Sequence, residues 1–250
     1  MSSSMFEILF GTTNAGKLRE LRRLVAGLSI RVVSPDDLGR PLPEVVEDGH
    51  TFQENAAKKA SAHARFAGLH ALADDSGLCV DALGGAPGIH SARWSGMEGH
   101  LASPACALPQ VALRELGPDL ARAARDEMNN DKLLAALAGV PDAQRGARYV
   151  AVLALARPDG SILAQVEGTC HGRVGYERRG SGGFGYDPLI IPDEGAALKL
   201  PAPSCSPLVI GGRTMAELEP AEKDAISHRG AAFRALRPVL ERLAFDKSPR

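Results

Sequence analysis

Apolar positions alternate between two rhythms along this chain. Phe6 to Gly11 is a short apolar run ending in glycine, and from Asn14 onward Leu18, Leu21, Leu24 and Val25 recur at helical spacing, so the start reads as strand, tight loop, helix. Ser29 to Val33 is a second strand closed by Ser34-Pro35, and Arg40 to Gly49 is an acidic, proline-containing loop. Thr51 and Glu54 have the spacing of a capping box opening an alanine-rich helix that runs to about Phe66. Leu69 to Ala73 and Leu78 to Val80 read as strand pieces. Between them lies Asp74-Asp75-Ser76-Gly77, an expensive interruption unless something binds the charges.

From Gly96 to Val140 the pattern is helical with breaks at Pro104, Pro109 and Gly117-Pro118, and the firmest helix spans Asp119 to Ala138. Tyr149 to Ala156 and Ser161 to Val166 flank Arg157-Pro-Asp-Gly160, whose turn residues predict a hairpin. A glycine cluster at Gly180 to Gly185 follows. The stretch Pro192 to Gly212, with Pro201, Pro203 and Pro207, reads as an exposed loop. A last helix from Arg229 to Leu243 presents Ala232, Phe233, Leu236, Val239, Leu240 and Leu243 on one face, and a polar tail begins at about residue 246. Strands alternating with helices, then a hairpin, predict an α/β fold: a mixed twisted sheet flanked by helices, within a single domain spanning residues 1–250.

With 250 residues, 44% of them hydrophobic, the chain can bury a core as one large domain or two small lobes. A net charge of -1 provides no basic field for nucleic acid, so no nucleic-acid partner is expected. The four cysteines, Cys79, Cys106, Cys170 and Cys205, lack zinc or dithiol spacing and suit a reducing cytoplasm. The N-terminus lacks a basic signal-peptide region, and no stretch approaches about 18 apolar residues, so no membrane partner is expected either.

Five segments carry candidate chemistry. Gly11-Thr-Thr-Asn-Ala-Gly-Lys17 lies between strand and helix, where free N–H groups and the macrodipole make an anion cradle with a lysine. It satisfies GxxxxGK, but Leu18 stands where a P-loop carries its magnesium-holding hydroxyl. A helix capped by Asn14 with a solvated Lys17 is the plainer reading. In the DDSG segment adjacent carboxylates on a strand point to opposite faces, so Asp74 and Asp75 do different work, and one aspartate at a strand end can ligate magnesium. Glu44, Glu47 and Asp48 each offer a second metal ligand or a solvated loop charge. In Ser181-Gly-Gly-Phe-Gly-Tyr-Asp-Pro188 the glycines admit a ligand, and Phe184 and Tyr186 offer faces for a planar base, in a chain with only 4% aromatics. Lys223 and Ser227-His-Arg-Gly230 make the fifth: with Ser227 as N-cap, His228 and Arg229 fall at the positive end of the dipole, which calls for a compensating anion or acceptor.

In this order the segments resemble the signatures of the inosine triphosphate pyrophosphatase family, the XTP/dITP diphosphatases. "TTNAGKLRE", "EDGHTFQENAAKKA", "ALADDSGLCVDALGGAPGIHSARWSG", "GGFGYDP" and "EKDAISHRGAAFRAL" carry the likeness from the first strand to the last helix. The resemblance implies a mixed sheet with two lobes and a central cleft, a homodimer, a Mg2+ requirement, and cleavage of ITP, dITP or XTP between the α and β phosphates. Residue by residue it implies a phosphate and ribose cradle at Thr12, Thr13, Asn14, Ala15, Gly16 and Lys17, metal ligands at Glu47 and Asp75, and a proton acceptor at Asp75. It also implies substrate contacts at Ser76, Phe184, Gly185, Tyr186, Asp187, Lys223, His228 and Arg229. Thr13, His90 and Trp94 depart from the family pattern, and segments 99–127 and 193–212 look longer than its usual form. The resulting mechanism is in-line attack of water on the α-phosphorus. Two rivals stand beside it: a P-loop ATPase or kinase, which Leu18 opposes, and a nucleotide sensor without turnover, which Glu47 and Asp75 oppose.

Overall fold

The computed structural model describes residues 5–96, 117–195 and 210–246. The breaks expected at Pro104 and Pro109, most of the proline-rich stretch 192–212 and the end of the polar tail lie outside them. Six strands, β1 (Phe6–Phe10), β2 (Ile30–Val33), β3 (His70–Val80), β4 (Gly146–Ala156), β5 (Ile162–Val174) and β6 (Ile190–Pro192), form a sheet in the order β2-β1-β3-β4-β5-β6. β1 runs parallel to both neighbours, Phe6 opposite Ile30 and Ile8 opposite His70. Parallel neighbours need crossovers, and α1 (Ala15–Leu24) and α2 (Phe52–Ala67) supply them. β6 is antiparallel to β5, so the sheet is mixed, as the sequence predicts.

Four expectations need correction. β3 is one uninterrupted strand of 11 residues through Asp74-Asp75-Ser76-Gly77, because both carboxylates find cations. β5 continues well past Val166; its inward positions there are Gly168, Cys170, Gly172 and Val174, three of them too small to register as an apolar alternation. The stretch after Ile191 is not simply an exposed loop: Pro192 ends β6 at the sheet edge, where a missing N–H is tolerated, and Ile210 is fully buried. The capping box of α2 is half formed. Thr51 accepts from the Glu54 amide at 3.1 Å, but the Glu54 carboxylate takes the amide of His50, one residue before the cap, at 2.7 Å.

The chain divides into two compact units, the first made of Met1–Ser76, Val150–Thr169 and Ser227–Arg250, the second of Gly77–Tyr149 and Cys170–Ile226. In the first unit the two-residue period sorts the core. Phe6, Ile8, Phe10, Leu72, Leu153 and Leu155 share a cluster with Leu21 of α1 and with Phe233, Leu236 and Leu240 of α5 (His228–Asp246). The opposite faces, with Leu9, Ala71, Ala73, Val152 and Ala154, meet Ala56, Ala60 and Ala64 of α2. Alanine at every fourth helical position against alanine-bearing strands lets α2 sit close to the sheet. β4 and β5 join through the predicted turn, where Gly160 donates to the Arg157 carbonyl at 2.8 Å.

In the second unit, Leu133 and Leu137 at the end of α3 (Pro118–Ala136) pack with Leu78, Tyr149, Tyr186, Leu189 and Met215. Among the described residues no helix is long and apolar enough to cross a membrane. The first core yields a direct expectation: Phe233, 2% exposed, is wedged among large apolar side chains, so Phe233→Ala costs about 3–5 kcal/mol, read from the urea midpoint. A loss below about 1 kcal/mol would show that α5 is not part of that core.

Candidate active site

The loop before α1 spends much of its polarity on itself. Asn14 caps the helix, its Oδ1 accepting from the Gly16 and Lys17 amides at 2.9 and 3.2 Å, while the Thr12 hydroxyl accepts from the Asn14 amide at 3.1 Å. The amides of Gly16 and Lys17 are thereby engaged, and the anion-cradle reading passes chiefly to the Lys17 ammonium and to the exposed Thr13 and Ala15. Leu18 packs partly buried against the first core, which explains the absence of a hydroxyl there.

β3 then delivers its two aspartates to opposite faces, as the two-residue period requires. Asp74, with Ser76 on the same face, meets Lys17 at 2.9 Å and the Arg229 Nε at 3.2 Å. Ser76 donates to Asp74 at 3.2 Å and accepts from the Arg229 Nη2 at 2.8 Å. The Arg229 Nη1 donates to Glu20 of α1 at 3.2 Å. Burial alone would raise the Asp74 carboxyl, but Lys17, Arg229 and Lys59 outweigh it and hold that group well below the usual carboxylate range. Burial, reinforced by Arg229 and Lys59, lowers the Lys17 ammonium against the opposing pull of Asp74.

Asp75 faces α2. Lys59 donates to its Oδ1 at 2.8 Å and lies 3.4 Å from Glu47, while Asn55 reaches its Oδ2 at 3.4 Å. Burial pushes the Asp75 carboxyl up even with that ammonium beside it. Burial also works against the Lys59 charge, but Asp75, Asp74 and Glu47 together keep its pKa above the ordinary value. Of the three loop acids, Glu47 is the one that shares a cation with Asp75; Asp48 pairs with Lys58 on the surface and Glu44 is exposed.

α5 begins close to these groups because Gly168 of β5 lets it approach: a Cβ there would lie 2.2 Å from the His228 carbonyl oxygen and 2.2 Å from the Ala232 nitrogen. Ser227 caps α5 as predicted, accepting from the Gly230 amide at 3.1 Å. The compensation demanded by cations at that helix end is met within the chain, by Glu20 and Asp74 for Arg229. Arg229's placement therefore does not by itself call for a ligand. His228 is buried beside it.

In the second unit, Asp187 organises the glycine loop. Its Oδ2 accepts from the Phe184 amide at 2.8 Å and from Lys223 of α4 (Pro220–Ile226) at 2.7 Å, and its Oδ1 from the Tyr149 hydroxyl at 3.3 Å. The Lys223 ammonium stands 4.7 Å from the Phe184 ring centroid. Tyr186 departs from the expectation that it offers a face to a base: it is 4% exposed, belongs to the core, and donates its hydroxyl to the Ser91 carbonyl at 3.0 Å. Of the two loop aromatics only Phe184 is partly accessible.

Sequence reasoning missed Glu20, Asn55 and Lys59, and in the second unit Asp126, Asn130 and Tyr149. A signal existed for two of them. Asn55 and Lys59 stand four apart on an otherwise alanine-lined helix, so they share a face.

A mixed α/β sheet thus carries adjacent acids on one strand, each paired with lysine or arginine from a helix. The sequence profile of the Ham1 family matches residues 8–115 and 108–239. The chain is 68% identical over 239 residues to a dITP/XTP pyrophosphatase of Anaeromyxobacter dehalogenans (strain 2CP-C), covering 95% of this chain and 98% of that protein. It is 64% identical over 240 residues to a dITP/XTP pyrophosphatase of Anaeromyxobacter sp. (strain Fw109-5), again covering 95% and 98%. A solved HAM1 protein from Coxiella burnetii superposes with a TM-score of 0.68 at 34% identity, covering 95% of this chain and all 100% of that one. The chain belongs to the Ham1 family.

Proposed function

We propose that this protein hydrolyses the non-standard purine nucleoside triphosphates ITP, dITP and XTP to the monophosphate and pyrophosphate. The relatives' activity, at 68% identity over nearly the whole chain, supports the substrate class. The observation that carries the chemistry is the convergence of Glu47 and Asp75 on one cation, the Lys59 ammonium, at 3.4 and 2.8 Å. Two hard oxygen donors already sharing a cation fit magnesium, which is usually held by one or two protein carboxylates together with substrate phosphates. Glu47 and Asp75 would hold magnesium, which would supply charge neutralisation for the phosphates.

The remaining roles belong to the chain. Asp75 accepts a proton from the water whose oxygen bonds to the α-phosphorus, as the bond from that phosphorus to the bridging oxygen breaks and pyrophosphate departs. Lys17 offsets negative charge on the phosphates, and Asp74 with Arg229 holds it in place. Phe184 gives the base a face beside Lys223. The same reading carries a homodimer in the cytoplasm.

The test is product identity across a panel of nucleoside triphosphates, with magnesium and with excess chelator. Monophosphate and pyrophosphate are expected in equal amounts, with ITP and XTP turned over in preference to ATP and no turnover in chelator. Calcium, with its larger and looser coordination shell, should replace magnesium poorly. Nucleoside diphosphate with inorganic phosphate would overturn the mechanism, and full activity in chelator would remove Glu47 and Asp75 from their metal role.

A further inference from the structure

α3 lies behind the glycine loop and makes contacts that neither packing nor the proposed chemistry uses. Asp126 and Asn130 stand four apart, on one face of the helix. Both reach the same residue. The Gly185 amide donates to the Asp126 Oδ2 at 2.9 Å, and the Asn130 Nδ2 donates to the Gly185 carbonyl at 3.0 Å. Gly185 has a φ of +65°, a left-handed conformation that turns the peptide groups on its two sides away from extended geometry. Holding its N–H and its C=O at once fixes both peptide planes, and one of them leads directly from Phe184.

The arrangement is costly enough to need a purpose. Burial pushes the Asp126 carboxyl up against the pull of the Gly185 N–H, so a neutral residue would serve packing better. Asn130 is 1% exposed and reaches Gly185 while its own Oδ1 is buried with no hydrogen-bond partner among the described residues. The next residue on α3, Asn129, donates to the Ser91 carbonyl at 3.2 Å, the same oxygen that takes the Tyr186 hydroxyl at 3.0 Å. Two residues of one helix thus hold Gly185 and a third shares an acceptor with Tyr186, while Asp187 holds the Phe184 amide from the other side.

We propose that Asp126 and Asn130 are positioning residues for purine recognition: they clamp Gly185 and so aim the Phe184 ring at the base. This rests on the assignment of Phe184 to the base, and the two can be tested separately. Calorimetry on the intact, magnesium-loaded protein compares inosine monophosphate, which carries the base, with inorganic tripolyphosphate, which does not. Asp126→Ala and Asn130→Ala should each weaken inosine monophosphate about tenfold, the equivalent of about 1.4 kcal/mol, and leave tripolyphosphate within about twofold. KM for ITP should rise about tenfold with kcat changed by less than about threefold. Asp126→Asn keeps an oxygen for the Gly185 N–H and should recover most of the affinity, which also covers the case in which the alanine variant fails to fold. If Phe184→Ala weakens inosine monophosphate but neither α3 variant does, the clamp is wrong. If Phe184→Ala also has no effect, the base assignment itself falls. Equal weakening of both ligands, unrescued by Asp126→Asn, would reduce the pair to a structural role and overturn the proposal.

Discussion

Asp75→Asn lowers kcat for ITP by about a hundredfold or more while the protein stays folded, the scale of losing a positioned general base. The substitution is nearly isosteric. Asn at this position can still accept from Asn55, and Lys59 keeps Glu47 at 3.4 Å, so neither neighbour is stranded. What disappears is the proton acceptor whose carboxyl burial has raised, together with half of the carboxylate pair that faces Lys59. Turnover is read by pyrophosphate release and integrity by the thermal midpoint, with magnesium affinity expected to weaken as well. Parental turnover in this variant would end the assignment of Asp75 as base.

The second large effect belongs to Asp74, and it is one of stability. Its side chain, 2% exposed, separates Lys17 from Arg229, and among the described residues it is the carboxylate that pairs with Lys17. Asp74→Asn removes the one negative charge between them, leaving Lys17 and the Arg229 guanidinium to repel each other in a buried setting; Arg229 already depresses the Lys17 ammonium. Losing one partner of a buried ion pair costs about 3–5 kcal/mol. Activity falls with it, because Lys17 loses its anchor. Since the folded protein holds the Asp74 carboxyl below its ordinary value, its contribution is fully present above about pH 4 and is lost as the pH drops through the folded value. Urea midpoints at neutral and acid pH should therefore show a large deficit in the variant at pH 7 that narrows in acid. A deficit under about 1 kcal/mol at neutral pH would mean that the pair is relaxed by water or by other groups.

These two effects divide what the chain announces from what only the fold decides. The sequence by itself determined β1, α1, the β4–β5 hairpin and the apolar face of α5, because a two-residue or a 3.6-residue period records which side of a local segment is buried. It determined that Asp74 and Asp75 act on different faces, since strand geometry leaves no alternative. The sequence motifs placed the residues now found around β3 and in the glycine loop, and Asn14 and Ser227 announced their helix starts through cap chemistry alone.

Tertiary structure decided which face serves which purpose. Asp74 meets Lys17 across 57 positions of sequence and Arg229 across 155, and no local pattern records such a pairing. The same distant cations keep β3 continuous where its charges read as a break. Tyr186 looked like a binding surface because it is aromatic and stands among glycines, yet its ring lies in the second unit's core, where the burial of so much apolar area outweighs display. Glu20, Asp126 and Asn130 were silent in the sequence for one physical reason. A polar residue on a helix looks solvated until the fold shows the buried charge or peptide group that it satisfies.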